Sequence, residues 1–406
     1  MFKKANTQLI KLLNEIQILN LIREKGPISR IEVARRVQMS KVAVFDIINR
    51  LIDAGFVLDV GKGESTSRGG KRPSLVKLNP EQHYVIGIAF KRREVEIGLA
   101  NIEADIVATK KFKMAVGSLP EDILQKVFIK IEQLLKSAGV KQEQLISIGI
   151  GIPGLIDYQK GQLSFADTLR GWAGVPLVQI FSKQFQVPVF MENDVNVVTL
   201  AESILGAGKD HSNVACVWIG EGIGAGLIIN NQLIQGHSGG AGELGYLELE
   251  RLCEPVNQLP NLYHGQKYFG DILSEAYLEE VLFKRLATKY DLKRMNLERI
   301  LKSKQFFEEI KDILDEFSYL LGVACSSLNK ITNPELLVIS GRVVDSSSYI
   351  FNRIVDFIEQ SVRDVPFLKA EIRKGKLAKR ASLQGTIALA LQVIFESRTA
   401  ISKKTF

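Results

Sequence analysis

The chain has 406 residues, of which 46% are apolar, and a formal net charge of +8. This length allows two or three domains, and the absence of any run of 18 uncharged apolar residues favours a globular protein over a membrane protein. Polar residues after Met1 argue against a signal peptide, and three cysteines without a CxxC pair argue against disulfides, so we expect a cytoplasmic protein.

The excess positive charge lies in the first 80 residues, called the head below. They contain 15 basic and seven acidic residues, whereas the other 326 residues carry equal numbers of each. A basic segment attached to a neutral body is typical of nucleic-acid contact.

The pattern of the head predicts helix, turn, helix. Residues 16–25 indicate the end of a helix, residues 29–32 form a capping box, and Ser40 begins a second capped helix over 41–53. Val44, Ile48 and Leu51 form its core stripe, and its N-terminus is predicted to enter the major groove of DNA. The residues of this helix predicted to contact DNA are Ser40, Lys41, Phe45, Asn49 and Arg50.

Two short strands, 56–60 and 74–78, flank a polar, glycine-rich loop and predict a two-stranded wing. The basic residues predicted to contact phosphates or a narrow minor groove there are Lys62, Arg68, Lys71 and Arg72. A flexible basic linker is the alternative for this loop, and a protein-interaction module is the alternative for the head.

From residue 84 onward, short apolar runs alternate with helical stretches, which predicts an α/β body. Two series of such elements predict two similar lobes. The first has strands at 85–90, 95–101 and 145–152 and a helix at 119–138. The second has strands at 214–219, 225–229 and 336–339 and helices at 273–290 and 306–329.

Glycine-rich segments at 149–154, 220–226 and 236–245 are predicted to join these strands and to let backbone amides approach a ligand. Tight turns between buried strands are the alternative. The polar triplet 192–194 follows an apolar strand and predicts a site for hydroxyl groups, because buried carboxylates need polar partners. Alternatively, Asn193 and Asp194 cap the helix over 195–205.

The helix pair and six further motifs resemble the ROK family of sugar kinases and sugar-responsive repressors, in particular its repressor branch of xylose repressor, NagC and Mlc types. The motifs are Gly69-Gly-Lys-Arg-Pro73, Gly149 to Gly154, Leu169-Arg-Gly-Trp172, Glu192-Asn-Asp194, Gly222-Ile-Gly-Ala-Gly226 and Gly240-Ala-Gly-Glu-Leu-Gly245. The resemblance implies an α/β fold: an N-terminal winged helix-turn-helix (1–80) before a two-lobed actin-like (RNase H-like) sugar-kinase fold. Its lobes would span 81–198 and 199–406, with the C-terminal helix packing back on the first lobe.

The resemblance also implies a sugar site in the cleft between the lobes. Asn193 and Glu243 match sugar-binding residues of the family, and Asp194 matches its catalytic base. Thr168 and Asp271 stand at or near two further sugar-contacting positions, and Tyr246 replaces a histidine that contacts sugar. The ligand-binding residues expected on this basis are Thr168, Asn193, Asp194, Glu243, Tyr246 and Asp271.

Three departures from the family pattern argue against kinase activity. The Asp-x-Gly-Gly-Thr phosphate loop is replaced by Gly-Ile-Ala-Phe-Lys-Arg-Arg at 87–93. Glu221 replaces a threonine and would repel a γ-phosphate, and Ser340-Gly341-Arg342 replaces a later Gly-Gly pair. We therefore expect no enzyme activity and no cofactor, with Asp194 as a vestigial base.

The zinc ligands of the family are also missing. Tyr246 replaces the histidine ligand, and of three cysteines only Cys253 remains, so no metal is predicted despite the nearby His237 and His264. In the second helix of the head, Phe45 and Asp46 replace small residues; Phe45 is a candidate contact for thymine methyl groups and Asp46 for a cytosine amine. Packing of Phe45 on the body is the alternative.

The resemblance implies a homodimeric or homotetrameric repressor of carbohydrate genes, xylose genes among the candidates, that binds operator DNA and is released by a sugar. Two alternatives remain. One is a sugar kinase with a DNA-binding extension. The other is a regulator that senses a protein partner in place of a sugar.

Overall fold

The computed structural model describes residues 7–62, 73–115, 117–166, 169–252 and 259–395. The helices are α1 (Thr7–Lys25), α2 (Arg30–Arg36), α3 (Lys41–Asp53), α4 (Pro120–Ala138), α5 (Leu177–Phe185), α6 (Asp194–Ile204), α7 (Leu249–Leu252), α8 (Phe269–Ile272), α9 (Glu275–Leu286), α10 (Leu297–Lys302), α11 (Phe307–Thr332), α12 (Arg342–Ser346), α13 (Ser348–Ser361) and α14 (Ala381–Phe395). The strands are β1 (Ile28–Ser29), β2 (Val57–Lys62), β3 (Ser74–Leu78), β4 (Tyr84–Phe90), β5 (Glu94–Asn101), β6 (Ile106–Lys113), β7 (Leu145–Ile152), β8 (Leu155–Asp157), β9 (Gln162–Phe165), β10 (Val189–Asn193), β11 (Val214–Ile219), β12 (Ile223–Ile229), β13 (Gln232–Leu233), β14 (Leu336–Ser340) and β15 (Glu371–Lys374).

The head folds as the sequence predicts. Ser29 and Ser40 cap α2 and α3, because their hydroxyl oxygens accept hydrogen bonds from backbone N–H groups three residues later at 3.1 and 3.2 Å. The core stripe of α3 is fully buried, and β2 and β3 pair antiparallel as a wing that β1 extends. Only half of the predicted capping box forms, since the Glu32 carboxylate pairs with Arg35 and Arg36 instead.

Contacts group the described chain into two units whose limits differ from the predicted boundaries at 80 and 198. Unit 1 holds the described residues up to 152, residues 174–192 and residues 386–395; unit 2 holds the described parts of 153–173 and 193–385. The difference arises because the chain leaves and re-enters each unit, which boundaries drawn once along the sequence cannot express.

Each unit contains a five-stranded sheet of the same topology. In unit 1 the order is β6-β5-β4-β7-β10, and in unit 2 it is β13-β12-β11-β14-β15. In both sheets the first three strands form an antiparallel meander, and the next strand is parallel to the first. This repeat agrees with the two similar lobes that the sequence predicts. No helix in the described ranges is long and apolar enough to span a membrane.

Glycines inside the strands allow helices to pack closely on these sheets. A Cβ atom at Gly149 in β7 would lie 2.1 Å from the backbone oxygen of Thr386 in α14. Likewise, a Cβ atom at Gly226 in β12 would lie 2.1 Å from Oγ1 of Thr199 in α6. At these two positions, the absence of a side chain is explained by the close packing of a helix, and the predicted approach of a ligand to the glycine-rich segments stays a prediction.

Candidate functional site

The outward face of α3 is the first candidate site. Lys41, Val42, Asp46 and Asn49 are exposed there, and Phe45 is half-buried. They point away from the buried stripe of the same helix because α3 turns about 100° per residue. The Ser40 hydroxyl is engaged as the helix cap.

Arg30 connects this helix to the wing. Its Nη1 donates to Oδ1 of Asn49 at 2.7 Å, and its Nη2 donates to Oδ2 of Asp59 in β2 at 3.1 Å. The guanidinium lies 5.9 Å from the ring centre of Phe45, and Asp59 also accepts a 2.5 Å hydrogen bond from the Ser74 hydroxyl in β3. These contacts join α2, α3 and both wing strands.

No local sequence pattern signals this role of Arg30, because its partners lie 19 and 29 residues away. The hydrogen bonds of Ser74, Gly61 and Arg30 to Asp59 lower the pKa of that carboxyl. The bridge is therefore charged at neutral pH.

Arg50 forms ion pairs within the head. Its Nη2 donates to Oε1 of Glu15 in α1 at 2.7 Å, and its Nη1 lies 3.4 Å from Oδ2 of Asp46. The Glu15 side chain is only 11% exposed, so this pair ties α3 to α1 within the head. Arg50, which the sequence predicts to contact DNA, is therefore held by two carboxylates while its side chain stays 38% exposed.

The wing is described only in part. Lys62 is exposed at the end of β2, opposite Ser74 in β3. Arg68, Lys71 and Arg72 lie outside the described residues.

The second candidate site lies in unit 2 at the start of α6. Asn193 is the N-cap of this helix: its Oδ1 accepts from the backbone N–H groups of Val195 at 2.8 Å and Asn196 at 3.3 Å. Its Nδ2 donates to the backbone oxygen of Gly154 at 3.1 Å. The capping alternative is therefore correct for Asn193, whose amide holds the strand end and the helix in place.

Asp194 is the first residue of α6 and the centre of an acidic group. Burial raises its pKa to about 6, and the negative charges of Glu221 and Glu243 act in the same direction. Burial also raises the pKa of Glu243. Carboxyl groups in such surroundings accept hydrogen bonds from neutral hydroxyls more readily than they tolerate an anion.

Gly242 fixes the position of Glu243. Its φ of +84° favours glycine, and a Cβ atom there would lie 1.8 Å from the backbone oxygen of Ala225 in β12. The Gly242 backbone oxygen accepts from the Ala225 N–H at 2.8 Å. The loop is thereby held against the strand, and the next side chain is that of Glu243.

Tyr246 and Asp271 lie on neighbouring segments of unit 2. Tyr246 is 52% exposed, and its ring packs edge-on against Tyr268 at 5.8 Å between ring centres. Asp271 is exposed in α8, and its Oδ2 accepts from the Tyr268 N–H at 3.0 Å. A Cβ atom at Gly270 would lie 3.1 Å from the backbone oxygen of Gly245, which brings the two segments together. Thr168 lies outside the described residues.

The segments that correspond to the nucleotide-binding motifs of the family's kinases have the following local structure. Phe90 is buried, and the turn between β4 and β5 is closed by a 2.8 Å hydrogen bond from the Lys91 N–H to the Glu94 oxygen. The Lys91 Nζ pairs with Glu96 at 3.2 Å. In unit 2, Arg342 forms an ion pair with Glu275.

Within the described ranges, no three His, Cys, Asp or Glu side chains lie together as metal ligands. Cys253 falls outside those ranges, so the structure leaves the predicted absence of zinc untested.

A model described as the ROK family matches residues 85–393, which is more than half of the chain. The chain belongs to the ROK family. A second model, described as winged helix-turn-helix DNA-binding, matches residues 12–57. This ROK protein thus combines the predicted DNA-binding head with the family body, and the predicted family and fold class are confirmed.

Known relatives of this ROK protein match almost its entire length. The xylose repressor of Caldicellulosiruptor bescii is 27% identical over 392 residues, which cover 95% of this chain and 97% of the relative. The N-acetylglucosamine repressor of Escherichia coli O6:H1 is 25% identical over 398 residues, covering 94% and 96%. A crystal structure of a ROK family transcriptional regulator, described as a homologue of the E. coli MLC protein, has the same fold. Its TM-score is 0.77 at 21% identity, with 95% of this chain and 97% of that chain covered.

Proposed function

We propose that this ROK protein is a transcriptional repressor of carbohydrate genes that binds operator DNA through its head and a sugar through unit 2. As a regulator of chromosomal DNA it would act in the cytoplasm, as a homodimer or homotetramer, because a two-fold operator needs two heads. The observation that carries the proposal is the acidic group around Asp194 in a chain that also has a winged helix-turn-helix.

The charge of this group narrows the class of effector. Burial raises the pKa of Asp194, and the negative charges of Glu221 and Glu243 raise it further. A phosphorylated sugar would add a further negative charge, whereas the hydroxyls of a neutral sugar can donate hydrogen bonds to these carboxyl groups. We therefore propose an unphosphorylated sugar, with pentoses such as xylose and acetylated amino sugars tested first because relatives are named for these sugars.

The same features support the absence of kinase activity. Phosphoryl transfer depends on backbone donors and cations around the polyphosphate. Here a closed turn with the buried Phe90 replaces the glycine-rich loop, and the negative charge of Glu221 acts on Asp194 at the base position. No release of ADP is expected when the protein is mixed with ATP and any sugar of the panel.

The test is a fluorescence anisotropy titration of the full chain on DNA from its own upstream region, with and without each sugar. A typical coupling of about 1–3 kcal/mol predicts a five- to 150-fold loss of DNA affinity with the correct sugar. Asp194→Asn is expected to lose the sugar response and to keep the affinity measured without sugar. Asp291→Asn, at an exposed aspartate of unit 2, is the matched control and should keep both.

Two results would contradict the proposal. Turnover of ATP with a sugar would make the protein a kinase. Specific DNA binding that is indifferent to every sugar would favour a protein partner as the signal.

A further inference from the structure

Val42 is the most exposed apolar residue on the outward face of α3. It is 82% exposed, and it follows Lys41 in the first turn of the helix. It lies opposite the buried stripe, so it contributes nothing to the core of the head. Exposure of a valine to water is unfavourable in free energy, and the exposure is relieved only when an apolar group covers the side chain.

Three other side chains on the same face have partners within the head. Asn49 accepts a hydrogen bond from Arg30, and the Arg30 guanidinium lies over the ring of the half-buried Phe45. Asp46 lies 3.4 Å from a nitrogen of Arg50. The sequence predicts Phe45 as the contact for a thymine methyl group. Val42 is better placed for this contact, because its side chain is exposed and has no partner role within the head.

We infer that Val42 contacts the 5-methyl group of one thymine in each half-site of the operator, an inference that rests on the proposed DNA-binding function. The N-terminal residues of a recognition helix reach the base edges in the major groove. Thymine alone presents a methyl group there, and apolar side chains are its natural contacts. Lys41, exposed beside Val42, supplies the cation for a neighbouring phosphate or guanine.

The contact also predicts which bases are unfavourable opposite Val42. Valine offers neither donor nor acceptor, so a cytosine amine or a purine edge facing it would lose a hydrogen bond to water without replacement. Position 42 therefore acts as a selector for thymine by the fit of two methyl groups.

The test removes only the 5-methyl group of thymine from the DNA. An operator is first selected from random duplex DNA with the full chain, and each thymine is then replaced singly by deoxyuridine. One position per half-site is expected to weaken binding about fourfold, and both together about sixteenfold, the effect of one buried methyl-sized group at each. The Val42→Ala variant should bind the selected operator more weakly and show no further loss with deoxyuridine at that position.

Two variants serve as controls. Val42→Thr retains one γ-methyl group and should retain the response to deoxyuridine. Val107→Ala, the same truncation at a 47% exposed valine in β6, should leave both affinity and response unchanged.

The outcomes separate the inference from the function on which it rests. If deoxyuridine weakens the wild type and Val42→Ala equally, or weakens neither, the thymine contact is wrong and specific DNA binding still stands. If no sequence can be selected from random DNA, the proposed repressor function itself is wrong.

Discussion

Replacing Arg30 by methionine should weaken specific DNA binding while leaving non-specific binding intact. Methionine keeps the length and the apolar stem of the side chain but removes the guanidinium that joins Asn49 to Asp59. Helix α3 and the wing would then be held together by their packing alone. The protein would have to fix their relative position when it binds DNA, at a cost in affinity.

The size of the effect follows from the two hydrogen bonds that the variant cannot form. The Arg30 side chain is 16% exposed and that of Asp59 is 39% exposed. Because solvent weakens such contacts, each hydrogen bond is taken to contribute about 1 kcal/mol, less than a buried charged hydrogen bond would. Their sum of about 2 kcal/mol corresponds to a loss of about thirtyfold in specific affinity. Arg30→Lys should recover little of this, because an ammonium group cannot span both acceptors as the planar guanidinium does.

Anisotropy titrations on the selected operator and on a scrambled duplex, each at several salt concentrations, distinguish positioning from direct contact. If Arg30 only positions other residues, the slope of log affinity against log salt stays unchanged on both duplexes. A decrease of about 0.9 in the slope, with equal losses on both duplexes, would instead identify a phosphate contact and refute the reasoning. Arg353→Met, which breaks a comparable 3.0 Å ion pair in unit 2, should change neither quantity.

Three further changes test other parts of the molecule. Asp194→Asn should stabilise the protein at pH 7.5 and not at pH 4, because a raised pKa destabilises the folded state as pH rises from about 4 to about 6. Thermal melts should show a gain of at most about 3 kcal/mol at pH 7.5 and none at pH 4, and an equal gain at both pH values would contradict this. Gly226→Ala should lower the free energy of unfolding by about 1–3 kcal/mol in urea titrations because its Cβ meets α6, whereas Gly222→Ala, with open space around its Cβ, should be neutral; equal losses would refute the packing argument. In the wing, replacing Arg68, Lys71 and Arg72 by alanine should reduce the salt slope by about 0.9 for each phosphate that these side chains neutralise, and a slope that stays the same would contradict phosphate binding by the wing.

Features encoded in short stretches of sequence were predictable. The caps of α2 and α3 and the buried stripe of α3 follow from spacings of three or four residues. The strand limits 145–152 and 214–219 agree with the structure because each is a short apolar run bounded by turn-forming residues.

Contacts between distant parts of the chain were not predictable in this way. The sequence predicts Arg50 as a DNA contact but gives no sign of its partner Glu15, which lies 35 residues earlier in the chain. The packing around Gly149 and Gly226 was also not predictable from local sequence. A glycine in a strand has the same sequence pattern whether a helix or a ligand lies beside it, and in both cases it is a helix.

The proposed role of the acidic group of unit 2 in sugar sensing and the proposed absence of catalysis have the same physical basis. A base that deprotonates a sugar hydroxyl is useful only when a phosphoryl group is held in line nearby, and the charge of Glu221 opposes this. The raised pKa of Asp194 instead keeps part of that group protonated near neutrality, so that it can donate as well as accept a hydrogen bond to a hydroxyl. A repressor gains from such a site, because a protein that phosphorylated its effector would remove the signal it has to measure.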